Sequence, residues 1–308
     1  MKHWLEFLPV RVFSHLVRFL PMSVVRRCGR AIGQCAYVID AERRRVALEN
    51  LAYAFPLRPD AERATLAKAM FAHFGSLLLE LIKFGMYTRE QMLAASETEG
   101  EERVRQAHQQ GRGVLYFTGH FGYWEILAVT HALRMEPMSV LARPLDNPYL
   151  HAALEEIRTS TGNRVIYRQG AVRRILRNLA DGGIVGVLID QHLHSTDAVY
   201  VGFFRRQAAT TSALAALALR TGAPVIPVFA LPLPHGRYRF IYEHPVDPPR
   251  ADTPDAVREF TQRCTDVLEM YVRRHPELWM WMHRRWRDQD VPAVESAVDE
   301  SSGAEADV

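Results

Sequence analysis

Two hydrophobic patterns divide the chain near residue 95. Before this point apolar residues recur every three or four positions, most clearly over Asp60–Phe84, and this predicts helices with one buried face. Two shorter helices are predicted over Val24–Asp40 and Asp40–Ala54, with Asp40 as the N-cap of the second. After this point short apolar runs alternate with helical segments. The alternation predicts an α/β fold, with a central mixed, largely parallel sheet flanked by helices and preceded by a helical N-terminal region.

Three of the predicted strands deliver polar residues to their carboxyl ends. The predicted strands are Val114–Phe117, Met138–Leu141, Arg164–Tyr167, Ile184–Ile189, Pro224–Phe229 and Arg239–Tyr242. His120 follows the first strand, Arg143 the second and Asp190 the fourth. Sites in such sheets gather at the carboxyl ends of the strands, so we expect these three residues to share one edge.

The pattern predicts three regions. Residues 1–95 form a helical, membrane-associating region, residues 96–290 form the α/β domain, and residues 291–308 form an acidic tail that we expect to be disordered. The tail carries five acidic residues and no Lys or Arg, so the formal net charge of +3 becomes +8 for the rest of the chain. A basic body favours anionic partners such as a membrane surface or phosphate groups.

The N-terminal segment His3–Leu20 is apolar and aromatic, with Arg11 and Arg18 among its residues. This composition is typical of a helix that lies in a membrane interface, and the alternative is a helix packed on the protein's own core. No run of about 18 uncharged apolar residues predicts a transmembrane helix. The three cysteines form no C-x-x-C pair, which favours a reduced, cytosol-facing protein.

The main candidate catalytic residue is His120. It lies in the stretch Gly111–Val129, whose pattern predicts a strand, a glycine turn and a helix. Imidazole titrates near neutrality and suits a general base, and Glu125 just inside the helix is placed to orient it. No G-x-S-x-G nucleophile elbow occurs. The pair is therefore predicted to activate a substrate hydroxyl directly, without an acyl-enzyme. The alternative is that His120 caps the helix and Glu125 complements its dipole.

The surroundings of His120 resemble those of the late lipid A acyltransferases, the lauroyl and myristoyl transferases of lipopolysaccharide assembly. GHFGYWE is similar to the H-x4-D/E motif of that family. Further ordered matches cover residues from about 40 to 288: RRRVALENLAYAFP, RPLDNPYL, GGIVGVLIDQH, VGFFRRQAATTSALAALALRTGAPVIPVF and PELWMWMHRRWR. Ordered matches of this kind are more specific than a single short motif.

The resemblance implies a glycerolipid-acyltransferase-like fold and the transfer of a fatty acyl chain from acyl carrier protein, or from a CoA thioester, to a hydroxyl of a lipid A precursor. His120 and Glu125 would be catalytic, with no cofactor besides the thioester co-substrate and no metal. The implied substrate-binding residues are Arg143, Arg168, Asp190, Arg284 and Arg285. The implied location is the cytoplasmic face of a bacterial inner membrane, with peripheral or weak insertion. Another acceptor, such as a glycerolipid, a mannolipid or an aminolipid, is the alternative within this class.

Two departures from the family pattern stand out. The motif V-x-F-F-G occurs here as VGFFR, so that Arg205 replaces a glycine that would favour positive φ. Members of the family usually begin with a membrane-spanning helix, and here Arg11 and Arg18 interrupt that segment.

Two functions of other classes remain. A metal-dependent hydrolase would use its His and Asp side chains as ligands, namely His120, His131, Asp190, His192 and His194, although their spacing matches no strong zinc motif. A non-catalytic membrane-binding or nucleic-acid-binding module would use the Trp- and Arg-rich segment 279–287. No nucleic-acid motif accompanies that segment, so no nucleic-acid partner is predicted.

Overall fold

The computed structural model describes residues 2–167, 169–193, 198–250 and 253–287. The helices in these ranges are α1 (Lys2–Val17), α2 (Met22–Ile39), α3 (Ala41–Ala54), α4 (Asp60–Phe84), α5 (Arg89–Ala94), α6 (Glu101–His108), α7 (Trp124–Arg134), α8 (Pro148–Thr159), α9 (Ala171–Ala180), α10 (Ala213–Thr221) and α11 (Ala256–Arg274). The strands are β1 (Ser96–Glu99), β2 (Val114–Thr118), β3 (Met138–Ala142), β4 (Arg164–Tyr167), β5 (Ile184–Leu188), β6 (Ala198–Phe203), β7 (Arg206–Thr211), β8 (Val225–Leu233) and β9 (Arg237–Tyr242).

Seven of these strands form one sheet in the order β1-β9-β8-β2-β5-β3-β4, and β6 and β7 form a separate hairpin. Within the sheet only the β8–β9 pair is antiparallel. All five residues of the central strand β2 are buried, as expected for a parallel strand covered by helices on both faces. The predicted fold class, a largely parallel mixed sheet flanked by helices, is confirmed.

Two apolar cores lie against the sheet. One joins residues of α3 and α4, including Leu51 and Phe71, to β2, β5 and the C-terminal segment. The other packs α7 against strands β2, β8 and β9. The N-terminal helices therefore share a core with the sheet, and the division at residue 95 stays a prediction. The predicted tail, residues 291–308, lies outside the described residues.

Of the described helices, only α4 is long and apolar enough to cross a membrane, and 56% of that stretch is buried inside the protein. Helix α4 therefore serves as a core helix here. Helix α1 has a different character, because several of its large apolar side chains face outward. Trp4 is 43% exposed, Leu16 is 55% exposed, and Phe19 in the following turn is 83% exposed.

The hairpin β6–β7 turns at Phe204 and Arg205, which both have positive φ, 53° and 59°. Two consecutive residues of this kind make a type I′ turn, whose twist matches that of the paired strands. The turn thus keeps positive φ at Arg205 without a glycine. Phe204 anchors it, with its side chain 3% exposed against Trp281 and Trp286.

We expect Arg205→Gly to stabilise the protein by about 0.5–1 kcal/mol. Relief of a left-handed non-glycine conformation contributes about 1–2 kcal/mol, and the greater entropy of unfolded glycine offsets part of it. Thermal or urea unfolding would measure the change. The matched control is Arg164→Gly, at an exposed arginine of β4 with extended backbone, where the same replacement should destabilise. Equal effects at both positions would contradict the argument.

Candidate active site

His120 lies in a sharp turn between β2 and α7 that two glycines make possible. A Cβ on Gly119 would lie 2.9 Å from Oδ2 of Asp190, and a Cβ on Gly122 (φ +58°) would lie 1.9 Å from the carbonyl oxygen of Ala230. Larger residues would therefore push the turn away from β5 or β8. The turn places the His120 side chain, 17% exposed, at the carboxyl end of the sheet.

Asp190, two residues beyond the end of β5, is the hydrogen-bond partner of His120. Its Oδ1 lies 2.8 Å from Nδ1 of His120, and its Oδ2 accepts from the His120 backbone N–H at 2.6 Å. The indole N–H of Trp279 donates to the same Oδ2 at 2.8 Å. Three donors thus hold a carboxylate that is 3% exposed, so its position and its charge are both fixed.

This arrangement sets the tautomer and the basicity of His120. An ionised carboxylate only accepts hydrogen bonds, so Nδ1 carries the proton and Nε2 presents the free lone pair. Burial alone would lower the pKa of His120, but the charge and the hydrogen bond of Asp190 outweigh it and raise the pKa above its ordinary value. Burial pushes the pKa of Asp190 upward, and the neighbouring imidazole and donors hold it below its ordinary range. The Nε2 atom of His120 lies 3.4 Å from the amide nitrogen of Gln191.

Glu125 takes a different partner from the one we expected. Its carboxylate accepts from both Nε and Nη2 of Arg158 on α8, with the Nε contact at 2.8 Å, and from the indole of Trp124 at 3.2 Å. Both side chains of the ion pair are largely buried. Glu125 still raises the pKa of His120 through its charge, after the larger effects of burial and Asp190. The orienting hydrogen bond predicted for Glu125 is made by Asp190, while a catalytic role for Glu125 stays a prediction.

The C-terminal segment 276–287 packs directly behind the His120 turn. Gly122 donates to the carbonyl of Leu278 at 2.9 Å, and Met280 donates to the carbonyl of His120 at 3.1 Å. Trp279 and Trp281 are fully buried and donate to Asp190 and to the carbonyl of Pro276. The Trp-rich composition of this segment also fits a membrane interface, but here the tryptophans are buried and support the site.

The predicted arginines fall in three kinds of place. Arg285 is 1% exposed and donates to the carbonyl of Ala209 and the hydroxyl of Thr210, and burial lowers its pKa to about 10 although the charge of Asp190 opposes the shift. Arg143 pairs with Asp146 at the surface, and the exposed Arg284 pairs with Glu42. Arg168 lies outside the described residues. The structure therefore makes Arg285 part of the packing, and Arg143 and Arg284 remain accessible.

Sequence reasoning missed the role of His283, which lies beside the pair. Its Nε2 accepts from the backbone N–H of His192 at 3.0 Å. Burial lowers the pKa of His283 to about 4, against the opposing charge of Asp190, so it stays neutral. His283 therefore fixes the backbone just after Asp190. The only sequence signal for His283 is its place in the H-R-R run, because its contact with His192 joins residues 91 positions apart.

The ligand set of the metal alternative does not come together in the described part of the chain, where no group of three or more His, Cys, Asp or Glu side chains is placed to hold a metal ion. His131 instead sits in the core, fully buried, with Nδ1 2.9 Å from the Tyr242 hydroxyl. Burial lowers its pKa to about 3. His194 lies outside the described residues.

A cavity of about 60 Å³ lies under the site, between β2, β3 and β5 and helices α7 and α8. Apolar side chains line most of it, including Leu127, Met138 and Val187, and Gly186 opens its wall because it has no side chain. The charged pair Glu125–Arg158 also lines it. Neither His120 nor Asp190 lines the cavity, but Thr118 and Leu188, two residues before them, do, as does Trp124, whose ring lies against that of His120. A base this close to an apolar cavity suits the activation of a hydroxyl next to a substrate with a hydrocarbon portion.

Comparison with known proteins points the same way. Residues 1–288 match the family of bacterial lipid A biosynthesis acyltransferases. The chain is 27% identical over 296 residues to the lipid A biosynthesis lauroyltransferase of Escherichia coli (strain K12), covering 95% of each chain. It is 24% identical to the palmitoleoyltransferase of the same strain, covering 94% of this chain and 93% of that one, and 23% identical to the myristoyltransferase, covering 91% and 86%. A phosphatidylinositol mannoside acyltransferase of Mycolicibacterium smegmatis is 25% identical over 181 residues, 57% of each chain.

Proposed function

Because the chain belongs to the bacterial lipid A biosynthesis acyltransferases, we propose that it transfers a fatty acyl chain from acyl carrier protein to a hydroxyl of a lipid A precursor, with His120 as the general base. The observation that carries the proposal is the His120–Asp190 pair at the carboxyl end of the sheet, beside an apolar cavity. The family supplies the acyltransferase activity and the lipid A pathway.

The reaction proceeds in one ternary complex. Nε2 of His120 removes the proton of the acceptor hydroxyl, and the oxygen attacks the thioester carbonyl carbon. The new C–O bond forms, the tetrahedral intermediate expels the thiolate by breaking the C–S bond, and the imidazolium returns its proton to the sulfur. Asp190 holds the imidazole and stabilises its charged form. The contact of Nε2 with the amide of Gln191, rather than with a Ser, Thr or Cys in the described ranges, supports a route without an acyl-enzyme.

Glu125 and Arg158 occupy the wall of the cavity, close enough for their charges to act on His120. We assign the cavity to the part of the acyl chain nearest the thioester. Glu125 adds negative charge near the imidazolium as it forms, and Arg158 keeps that carboxylate in place. The accessible Arg143 and Arg284 are assigned to phosphate or phosphopantetheine groups, which arginine binds bidentately.

We assign the protein to the cytoplasmic face of the inner membrane, where both an acyl carrier protein and a lipid acceptor are at hand. The outward-facing apolar side chains of α1 and of the turn after it, such as Leu16 and Phe19, support attachment by partial insertion.

The test is a transfer assay with purified full-length protein, a lipid A precursor and matched thioesters of acyl carrier protein and CoA. We expect faster transfer from acyl carrier protein, and no covalent acyl adduct on the protein in intact mass spectra when acceptor is withheld. A trapped acyl-enzyme would refute direct transfer. Preference for the CoA thioester would refute the donor.

The acceptor is tested in the same assay with lysophospholipid, phosphatidylinositol mannoside and aminolipid acceptors. The partial likeness to a mannoside acyltransferase makes the mannolipid the most informative of these. Transfer to any of them in preference to the lipid A precursor would overturn the lipid A assignment while leaving acyl transfer intact.

A further inference from the structure

A second, strongly basic groove lies away from the catalytic pair. Its volume is about 510 Å³, and it is lined by Pro21, by the first three turns of α2 and by the turn between β8 and β9. Arg26, Arg27 and Arg30 all contribute to it, with His235 facing them from the turn. No Asp or Glu of the described chain is among the lining residues. A concave surface with this charge is suited to an anion.

Arg26 is the fixed member of the three. Its Nε donates to Glu80 at 2.8 Å and its Nη1 donates to the carbonyl of Leu233 at 3.2 Å. Glu80 is fully buried and also accepts from the hydroxyls of Tyr123 and Tyr238. The Nη2 of Arg26 is buried and has no protein partner within the described ranges. The guanidinium is therefore held in one orientation, and the two N–H groups of Nη2 have no protein acceptor among the described residues.

Arg27 and Arg30 supply the uncompensated charge. Both side chains are exposed, and neither forms an ion pair or a hydrogen bond in the part of the chain that the structure describes. Glu80 neutralises Arg26, so these two arginines leave the groove with two positive charges. The first turn of α2, where Ser23 lies, adds the positive end of an 18-residue helix to the same side.

The neighbourhood of the groove is apolar. Phe19 is 83% exposed and lies two positions before the lining residue Pro21. Two residues of chain reach at most about 7 Å, so Phe19 is close to the groove. Leu16 and Val12 continue the exposed apolar surface along α1, at 55% and 54% exposure. A phosphate site bordered by exposed aromatic and aliphatic side chains has the layout of a membrane interface, where apolar groups insert and arginines meet the headgroups.

We propose that this groove binds the phosphodiester headgroup of an anionic membrane phospholipid and so orients the enzyme on the bilayer. The site is distinct from the catalytic centre, because its lining residues form no hydrogen bond with His120, Asp190, Glu125 or Arg158 among the described contacts. Arg26 and Arg30 grip the phosphate from successive turns of α2, Arg27 faces the surrounding headgroups, and α1 lies with Phe19 and Leu16 in the acyl boundary.

The experiment is flotation of the purified full-length protein with vesicles of phosphatidylcholine, with and without phosphatidylglycerol. We expect the partition of R27Q/R30Q onto the phosphatidylglycerol vesicles to fall about 25-fold, because each basic side chain near an anionic surface contributes about a factor of five. The matched control is R173Q/R177Q, which removes two exposed arginines from α9. The control should partition like the wild type. An equal loss in both variants, or none in R27Q/R30Q, would overturn the proposal.

Two further arms separate the source of the phosphate and guard against misfolding. Soluble dihexanoyl-phosphatidylglycerol should bind the wild type more tightly than inorganic phosphate, since only the lipid reaches the apolar border. The reverse order would assign the groove to a free phosphate and overturn the headgroup. Ser23→Asp adds a negative charge to the groove at a helix position that favours acids, so it should fold normally and still weaken flotation. Unchanged flotation of Ser23→Asp would count against the site.

Discussion

Asp190→Asn is expected to reduce kcat about 10³- to 10⁴-fold, although the two side chains have the same shape. Oδ2 of Asp190 accepts from two fixed donors, the His120 backbone and the Trp279 indole. In the variant the amide oxygen must take that place, which turns the NH₂ group toward Nδ1 of His120. Nδ1 then becomes the acceptor and Nε2 carries the proton. The atom that faces the acceptor hydroxyl in the proposed mechanism thereby loses the lone pair that it needs as a base.

His120→Ala is expected to lower kcat about 10²- to 10⁴-fold. The double variant with Asp190→Asn should be no slower than the slower of the two single variants. Such non-additivity marks two residues that act as a unit. Multiplied losses would show independent roles. Near-normal activity of Asp190→Asn beside an inactive Glu125→Gln would return the orienting role to Glu125.

The pH profile gives an independent readout of the same pair. Only neutral His120 accepts a proton, so kcat/KM of the wild type should fall as the pH drops through a pKa that Asp190 holds above the ordinary value for histidine. The residual activity of Asp190→Asn should decline at a lower pH, because the carboxylate charge that raised the pKa is gone. A midpoint that does not move would argue against the contact between the two residues as the cause.

Arg158→Leu is expected to destabilise the fold by about 3–5 kcal/mol, because it leaves the carboxylate of Glu125 buried without its cation. Both side chains are mostly buried, and two donors of the guanidinium reach the carboxylate. Urea unfolding monitored by circular dichroism would measure the loss. Arg45→Leu, at the exposed pair with Glu49, is the control and should change stability by less than about 0.5 kcal/mol.

The double variant Glu125→Leu/Arg158→Leu separates structure from chemistry. Replacing both members of a buried ion pair by apolar residues is often neutral, so most of the stability should return. If Glu125 acts on His120 through its charge, this variant should still be slower than the wild type, since that negative charge is absent. Restored activity together with restored stability would show that Glu125 serves only to pair with Arg158.

The strands of the α/β region were predictable because each buried strand is an apolar run. Residues 114–118, 138–142, 164–167 and 184–188 are strands, within one or two positions of the prediction. The exceptions have physical reasons. Ser96–Glu99 is a polar strand at the edge of the sheet, so it carries no hydrophobic signal. The hairpin β6–β7 lies outside the sheet, in a stretch that the sequence marks by its resemblance to a family motif and not by a strand pattern.

The site was predictable in part. The topology argument placed His120 and Asp190 at one edge, and the pairing of Thr118 with Leu188 explains why, since each residue lies two positions beyond its strand. The sequence nevertheless favours Glu125 as the partner of His120, because Glu125 lies only five residues away. Asp190 lies 70 residues away, and a pattern search does not link residues so far apart. The register of two parallel strands could not be derived from composition.

Composition also misled at the C-terminal segment 279–287, which fitted a membrane-binding surface and is in fact packed behind the site. Trp is frequent both at membrane interfaces and in packed cores, and composition does not separate the two cases. The indole N–H groups decide here, because each of Trp279, Trp281 and Trp286 donates to a buried protein acceptor. Such partners exist only in the folded chain.

The position of that segment has a consequence for the timing of synthesis. The donors that fix Asp190 and the backbone of His120 include Trp279 and Met280, among the last residues that the structure describes. At about 5–20 residues per second, a ribosome needs roughly 8–32 s to travel from His120 to Met280. For that interval the nascent chain has its base but not the support behind it. The enzyme therefore acquires activity only after Met280 has been translated, when the N-terminal helices have already emerged.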